Sequence, residues 1–136
     1  MRLNPHVTFD GQCEAAFKFY EKCLGGKVVM MMTHGDSPMS DQMPPGWRGK
    51  VLHATFAWGD QILQGADAPP DRYLKPQGFS VMLNVGDATE ADRIFRALED
   101  KGTVQVPIQE TFWARRFGML VDQFGIPWMI NCGKPA

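Results

Sequence analysis

The stretch Gln109–Asn131, QETFWARRFGMLVDQFGIPWMIN, decides our interpretation of the fold. Two apolar runs, Phe117–Val121 and Ile126–Asn131, flank the turn-forming segment Asp122–Gly125. Aspartate and glycine tolerate the backbone conformations that tight turns need, so the pattern predicts a β-hairpin. Just before it, an acidic residue, two aromatic residues and two arginines lie within Glu110–Arg116. The stretch therefore joins a clear structural signal to a dense group of chemically useful side chains.

Working outward from the hairpin, we find one element order repeated in the chain. The first copy contains a predicted helix, Gln12–Leu24, and four predicted strands: His6–Phe9, Lys27–Thr33, Lys50–Trp58 and Gln61–Gly65. The predicted apolar face of this helix carries Ala15, Ala16, Phe19, Tyr20, Cys23 and Leu24. The second copy has a strand at Phe79–Val85, a helix at Ala88–Lys101, a strand at Thr103–Pro107, and then the hairpin. The predicted apolar face of its helix carries Ala91, Ile94, Phe95 and Leu98. Both copies follow the order βαβββ, which predicts an α+β fold.

We predict one domain spanning residues 1–136, with module one at 1–66, a proline-containing linker at 67–77 and module two at 78–133. Three sequence matches support the repeat. They pair Glu14-Ala15-x-x-x-Phe19 with Glu90-Ala91-x-x-x-Phe95, Gly26-x-Val28 with Gly102-x-Val104, and Trp58-Gly59 with Phe124-Gly125. The second helix also begins with a capping-box pattern, in which Asp87 is the N-cap and Glu90 lies three residues later.

Composition narrows the range of partners. The net charge of −1 argues against nucleic acid or an anionic membrane, because both favour a basic surface. No apolar run approaches the ~20 residues that span a bilayer, and the N-terminal MRLNPHVTF lacks the apolar core of a signal peptide. We therefore predict a cytoplasmic protein that binds neither nucleic acid nor membrane.

The chain has three cysteines, Cys13, Cys23 and Cys132, with no CxxC pair. This pattern predicts neither a disulfide framework nor a zinc knuckle. Cys13 lies near the predicted start of a helix, where a thiol can become reactive. The burial habits of cysteine nevertheless favour a buried, unreactive residue at this position.

The two βαβββ units resemble the vicinal oxygen chelate superfamily, which includes glyoxalase I, fosfomycin resistance proteins, bleomycin-binding proteins and extradiol dioxygenases. Within it the chain is similar to the PhnB-like branch. The resemblance implies two modules whose sheets curve around a cavity, usually in a homodimer. It covers nearly the whole chain through these motifs: Phe9-Asp10-Gly11, Cys13-Glu14-Ala15-Ala16, Phe19-Tyr20, His53-Ala54, Asp67-Ala68, Gln109–Ala114 and Phe124-Gly125-x-Pro127-Trp128-Met129-Ile130-Asn131.

Metal-using members of this superfamily hold a divalent ion with residues from the first and last strands of each module. The resemblance places these positions on His6, on Ser80 or Met82, on Leu63 and on Met129. His6 alone is a good ligand type, whereas a catalytic divalent ion needs about three nitrogen or oxygen ligands. We therefore predict no metal and no other cofactor, and His6 is the one candidate ligand if a divalent metal does bind.

His6 and His53 are predicted to face the cavity, where a histidine of near-neutral pKa can act as a base or a hydrogen-bond donor. On its strand, His53 shares a face with Val51 and Thr55. The opposite face, predicted to pack on a helix, carries Leu52, Ala54 and Phe56. A satisfied structural histidine is the alternative for both His6 and His53.

Glu110 lies beside Phe112 and Trp113, and such surroundings can raise the pKa of an acid. Arg115 and Arg116 could instead hold it ionised, or bind an anionic ligand. The plainest alternative is a surface acid. Phe112 and Trp113 could line a ligand or pack between modules or subunits.

Two further sets of residues have less functional promise. The long loop 34–48 resembles a lid or binding loop, but within it we expect His34 to be an exposed loop residue. Met30, Met31 and Met32 are expected to lie in a buried strand, because three consecutive side chains point to alternating faces and cannot form one metal cluster.

Two functional hypotheses remain open, and the sequence does not decide whether the protein is an enzyme. In the first, it binds a small organic ligand without the usual metal site, through His6, His53, Glu110, Phe112, Trp113 and Arg115. In the second, it is a metal-assisted lyase, isomerase or dioxygenase with an altered site of His6, His53 and Glu110. His53 and Glu110 are then the candidate catalytic residues.

Some PhnB-like proteins carry a methyltransferase-type label. The sequence gives it little support, because no glycine-rich strand–turn–helix motif for a nucleotide-like cofactor is present.

Overall fold

The structure is a computed structural model that describes residues 1–38 and 40–134. Met39, in the predicted loop 34–48, lies outside the described residues. In the described part, that loop contains two short 3₁₀ helices, His34–Asp36 and Ser40–Gln42. The helices and strands are β1 (His6–Phe9), α1 (Cys13–Leu24), β2 (Lys27–Thr33), β3 (Val51–Trp58), β4 (Gln61–Asp67), β5 (Val81–Asn84), α2 (Ala88–Leu98), β6 (Thr103–Gln109), β7 (Ala114–Val121) and β8 (Pro127–Gly133).

The strands form two four-stranded sheets of the same topology, β1-β4-β3-β2 and β5-β8-β7-β6. In each sheet the first and last strands of the βαβββ unit are parallel, and the other neighbours are antiparallel. The predicted α+β fold of two βαβββ units is therefore confirmed. The chain divides into two compact units, Met1–Leu74 and Lys75–Ala136.

In the first unit, helix α1 covers one face of the sheet. Our prediction placed Ala15 on the apolar face and omitted Phe17, whereas Ala15 is exposed and Phe17 is fully buried. The Phe17 ring occupies the space over Gly65, where an added Cβ would lie 2.8 Å from the ring. The helix is rotated accordingly, and its buried residues are Cys13, Ala16, Phe17, Tyr20, Cys23 and Leu24.

In the second unit, helix α2 buries the predicted residues Ala91, Ile94, Phe95 and Leu98. The side chain of Asp87 caps the helix by accepting a hydrogen bond from the Glu90 backbone N–H at 2.9 Å. The Glu90 side chain pairs with Arg93 instead of returning to the Asp87 backbone, so only half of the predicted capping box forms.

Gly26 and Gly102 occupy equivalent places in the two units, as the repeat predicted. An added Cβ would lie 2.4 Å from the carbonyl oxygen of Ala57 at Gly26, and 2.5 Å from that of Val121 at Gly102. Only glycine allows the backbone to pass so close to a neighbouring strand. The helix match is wrong by one residue, because Ala16, not Ala15, is buried as Ala91 is.

Several strand limits differ from the predicted ones. β7 begins at Ala114, so Arg115 and Arg116 lie in the strand and not before it. β4 continues to Asp67, which we had placed in the linker.

The methionine-rich strand β2 is not buried, contrary to our prediction. Met30 is 38% exposed and Met32 41% exposed, because β2 is at the edge of its sheet. Sequence periodicity shows that side chains alternate between faces, but it does not show whether each face is covered. Among the described residues, neither α-helix has the length and apolar character needed to cross a membrane.

Candidate functional site

The first sheet has one face covered by α1 and a second that we call the open face. Val7 and Phe9 of β1 are buried on the helix side, so the alternating residues His6 and Thr8 lie on the open face. The strand pairing places His6 opposite Gln64. It continues with Thr8 opposite Ala66.

His6 and His53 come together on this open face, as predicted. Their rings are nearly parallel, with centroids 6.4 Å apart and an interplanar angle of 22°. Loss of hydration lowers the pKa of His6 from its ordinary value, and the charge that His53 can carry lowers it further. The pair therefore favours a neutral His6 near neutral pH, which suits hydrogen bonding.

This pair gives a pH prediction. In an NMR pH titration the His6 midpoint should lie below the usual value of about 6.5. His53→Gln should raise that midpoint only part of the way, because desolvation is the larger cause. Thr55→Val, a substitution on the strand of His53 that alters no charge, should leave the His6 midpoint unchanged.

The sign for stability follows from proton binding. Since His6 binds its proton more weakly in the folded chain, its contribution to stability falls as the pH drops below about 6.5. A His6 midpoint at or above the ordinary value would contradict this account.

A pocket of about 420 Å³ lies in the first unit, at the Thr8 and Ala66 end of the open face. We call it the His34 pocket. It falls within the size range of about 300–1,000 Å³ that is typical of small-ligand sites. It is lined by Thr8, His34, Ser37, Met43, Leu52, Ala66, Asp67, Ala68, Pro69 and Arg72.

His34 is the residue that sequence reasoning missed. We expected an exposed loop histidine, but His34 is only 7% exposed, and its ring packs against Trp47 with centroids 5.9 Å apart. Its Nε2 atom is buried and has no hydrogen-bond partner in the described part of the chain. A buried polar atom without a partner is costly, so it marks a place where a ligand could bind.

Local hydrogen bonds hold His34 in place. The Asp36 carboxylate accepts bonds from both the backbone N–H and the hydroxyl of Thr33, each at 3.0 Å. The backbone N–H of His34 donates to the Lys50 carbonyl at 2.9 Å, and that of Gly35 to the Arg48 carbonyl at 2.8 Å. The T-x-x-D spacing from Thr33 to Asp36 is a capping signal that could have predicted an ordered turn here.

Leu52 also departs from its predicted place. We assigned it to the helix-facing side, but it is 36% exposed and lines the His34 pocket, whereas Val51 is 1% exposed. The pairing between β2 and β3 is irregular between Met32 and Thr33. This irregularity breaks the simple alternation of faces that the prediction assumed.

Asp67 and Arg72 bound the pocket from the segment that we had predicted to be a linker. The Asp67 carboxylate is buried and accepts bonds from the backbone N–H groups of Cys13 and Val51, at 2.8 and 2.9 Å. Further along, the backbone N–H groups of Arg72 and Tyr73 both donate to the Pro69 carbonyl. The segment is a tight turn that forms one wall of the pocket.

Cys13 is the first residue of α1, but burial raises the pKa of its thiol, and the nearby Asp67 charge raises it further. The favoured prediction of a buried, unreactive cysteine is therefore confirmed, and Cys13 is part of the core.

In the second unit, the predicted aromatic residues form a cluster. Trp113 contacts Phe112 and Phe117 edge-on, with centroids 4.9 and 5.3 Å away. Phe112 is 88% exposed and Trp113 49% exposed. Glu110 lies in the same β6–β7 connection and is exposed, without a hydrogen bond or ion pair to any described residue.

Arg115 and Arg116 do not hold Glu110. Arg115 donates to the carbonyl oxygens of Gly133 and Gly86, both at 2.9 Å. Arg116 pairs with Asp92 at 2.7 Å. Both side chains therefore form hydrogen bonds within the second unit. A ligand-binding role for Arg115 stays a prediction.

Comparison with known proteins identifies the family. The family model described as 3-demethylubiquinone-9 3-methyltransferase matches residues 1–131. This chain belongs to that PhnB-like family. It has the vicinal-oxygen-chelate fold, which it shares with a possible glyoxalase from Bacillus cereus and with the fosfomycin resistance protein FosX from Listeria monocytogenes.

Individual relatives agree with this assignment. Protein YjdN from Escherichia coli (strain K12) is 32% identical over 142 residues, which cover 98% of the PhnB-like chain and 97% of YjdN. The crystal structure of PA1353 from Pseudomonas aeruginosa is 40% identical, covers 99% of each chain and has a TM-score of 0.90. A putative 3-demethylubiquinone-9 3-methyltransferase, PhnB protein, from Bacillus cereus shares the fold, with 23% identity, coverage of 98% and 100%, and a TM-score of 0.81.

Strand pairing corrects one of the four positions at which we predicted that metal-using members of the superfamily carry a ligand residue. In the PhnB-like chain His6 lies opposite Gln64, as Met82 lies opposite Met129. The position equivalent to Met129 is therefore Gln64, not Leu63, which is buried on the helix side. The one-residue error arose because the β3–β4 turn is shorter than the β7–β8 connection.

The corrected set does not fit a divalent metal. It consists of one imidazole, one amide and two thioethers, whereas a hard or borderline divalent ion needs about three nitrogen or oxygen ligands. Among the described residues, no group of three or more histidine, cysteine, aspartate or glutamate side chains is arranged to hold a metal ion.

Proposed function

We propose that this PhnB-like protein binds a small organic molecule in the His34 pocket. The observation that carries the proposal is the pocket itself, about 420 Å³ in volume and lined by five apolar and five polar or charged residues. Such a lining is typical of small-ligand sites, where apolar contacts supply affinity and a few polar groups fix orientation. The sequence-predicted His6 and His53 lie on the same open face, outside the pocket lining.

Neutral benzamide is a suitable first probe, because its ring matches the apolar wall of Met43, Leu52 and Pro69. We expect saturable binding to the chain with a Kd of about 1 mM, a normal value for a fragment of this size. The readout is NMR, through the indole N–H of Trp47 and the ring signals of His34.

A pocket-filling variant tests the location. Ala68→Phe should weaken benzamide binding about tenfold or more, because the new ring occupies the pocket that Ala68 lines. Ala15→Phe, the same change at an exposed position on α1, should bind like the unmodified chain. Binding that survives Ala68→Phe, or no saturable response in either signal, would refute the proposal.

We also propose that binding does not require a divalent metal, which the thioethers of Met82 and Met129 support. Benzamide binding should then be the same before and after EDTA treatment. The alternative, a metal-assisted lyase, isomerase or dioxygenase using His6, His53 and Glu110, has less support, because Glu110 is exposed and His6 lacks the usual companion ligands. Methyl transfer has no support in the sheets, each of which has a single parallel strand pair.

Two further parts of the proposal concern the setting. We propose a homodimer, supported by the exposure of large apolar side chains such as Phe112 and Trp113, which monomers rarely present together. We propose a cytoplasmic location, supported by Cys13, Cys23 and Cys132, which are buried and form no disulfide in the described part of the chain, as expected in a reducing compartment.

A further inference from the structure

The His34 pocket is lined by two side chains with nitrogen atoms that have no hydrogen-bond partner among the described residues. The Arg72 guanidinium makes no hydrogen bond or ion pair with any described residue, although it lines the pocket. Arg72 is placed there by its backbone, since its N–H donates to the Pro69 carbonyl at 2.8 Å. Four of the other six arginines donate to protein acceptors: Arg48, Arg93, Arg115 and Arg116. Arg72 shares its lack of an acceptor in the described chain with Arg2 and Arg96, but of these three only Arg72 lines the pocket.

His34 supplies the second group. His34 is only 7% exposed, and its Nε2 atom has no hydrogen-bond partner in the described chain. Leaving such a buried atom unpaired is costly, so pairing it with a ligand atom favours binding. The ring packs against Trp47, and the backbone N–H of His34 donates to the Lys50 carbonyl.

We propose that the ligand of the His34 pocket carries an oxyanion, a carboxylate or phosphate group, bound jointly by Arg72 and His34. The inference rests on the proposed function and adds the chemical class of the ligand. A guanidinium presents several N–H donors in a plane and matches the oxygens of a carboxylate or phosphate. The imidazole Nε2 can donate one further hydrogen bond when it carries the proton.

Asp67 also lines the pocket, and its negative charge has to be accounted for. Both of its oxygens accept backbone hydrogen bonds, from Cys13 and Val51. Cys13 is the first residue of α1, so the carboxylate lies at a helix N-terminus, where the helix dipole offsets negative charge. The charge of Asp67 is thus directed into the core, and Arg72 remains available to a ligand.

The test compares benzoate with neutral benzamide, which has nearly the same shape. At pH 7.5 and low salt, benzoate should bind the unmodified chain about tenfold more tightly, as a charge-assisted hydrogen bond predicts. In the Arg72→Gln variant, benzoate and benzamide should bind about equally tightly, and the affinity for benzamide should be unchanged. Arg96→Gln, on α2 in the other unit, is the matched control and should keep the tenfold preference.

His34 is tested without a substitution, because replacing a buried ring could disturb the fold. The ¹⁵N signal of its Nε2 should shift on saturation with benzoate and shift much less with benzamide. Phenyl phosphate distinguishes the two oxyanions: tighter binding than benzoate assigns a phosphate, and weaker binding assigns a carboxylate.

Separate outcomes would overturn the two proposals. If benzamide binds in the pocket but benzoate binds no more tightly, the oxyanion inference is wrong and the proposed function stands. The inference also fails if Arg72→Gln keeps the benzoate preference, or if the Nε2 signal does not respond. If neither compound binds where Ala68→Phe can block it, both proposals fail.

Discussion

Asp122→Ala is expected to lower the free energy of unfolding by about 3–6 kcal/mol, the largest effect that we predict. Asp122 is 3% exposed, and its carboxylate accepts hydrogen bonds from at least three donors. Its Oδ1 accepts from the backbone N–H groups of Phe124 and Ile126 at 2.8 and 3.0 Å, and its Oδ2 from the indole N–H of Trp128 at 2.8 Å. Alanine leaves these donors unpaired, and each costs about 1–3 kcal/mol when buried. Urea unfolding followed by circular dichroism measures the loss.

A more conservative variant tests the hydrogen bond between the Trp128 indole and Asp122 by itself, in case the alanine variant does not fold. Asp122→Asn keeps one oxygen for the backbone donors but can turn its NH₂ group toward the Trp128 indole N–H, for a cost of about 2 kcal/mol. In a Trp128→Phe background the opposing donor is gone, so the same change should be nearly neutral. Equal costs in the two backgrounds would contradict this account of Asp122.

Asp67→Ala is expected to lower the free energy of unfolding by about 2–4 kcal/mol, the second largest effect. The carboxylate joins three separate segments, because Asp67 ends β4 and accepts from Cys13 of α1 and Val51 of β3. Both donors are buried, so water cannot replace the lost bonds. For a chain of this size, each kcal/mol lowers the melting temperature by about 3–4 °C, which thermal unfolding can measure.

Asp87→Ala is the matched control for Asp67→Ala. Asp87 caps α2 by accepting from the Glu90 N–H, but this bond is exposed, so its loss should cost only about 1 kcal/mol. Equal losses for the two variants would show that burial of the Asp67 bonds adds nothing. Because Asp67 also lines the His34 pocket, Asp67→Ala should weaken benzamide binding as well, whereas Asp87→Ala should not.

Local sequence signals predicted the elements that local physics decides. The hairpin turn at Asp122–Gly125, the apolar face of α2 and its cap at Asp87 all follow from neighbouring residues. Gly26 and Gly102 were also recognisable, since a repeated glycine indicates a repeated close approach of backbones. The pair His6 and His53 was found because side chains alternate along strands.

The His34 pocket could not be predicted in the same way. His34, Leu52 and Arg72 come from a loop, an irregular strand and a supposed linker, and nothing in their spacing links them. The cap of α1 is equally hidden, because Asp67 lies 54 residues from Cys13. The error at Leu63 has a related cause, since the register of two strands depends on the length of the turn between them.

The residues of the chain were enough to predict the two βαβββ units and the family, because hydrophobic periodicity, turn residues and motifs are encoded locally. Which polar groups are buried, and which of them lack partners in the described chain, follows from the folded arrangement instead. Burial is a property of all the elements that surround a side chain, so the unpaired Nε2 of His34 becomes visible only after the first unit is folded.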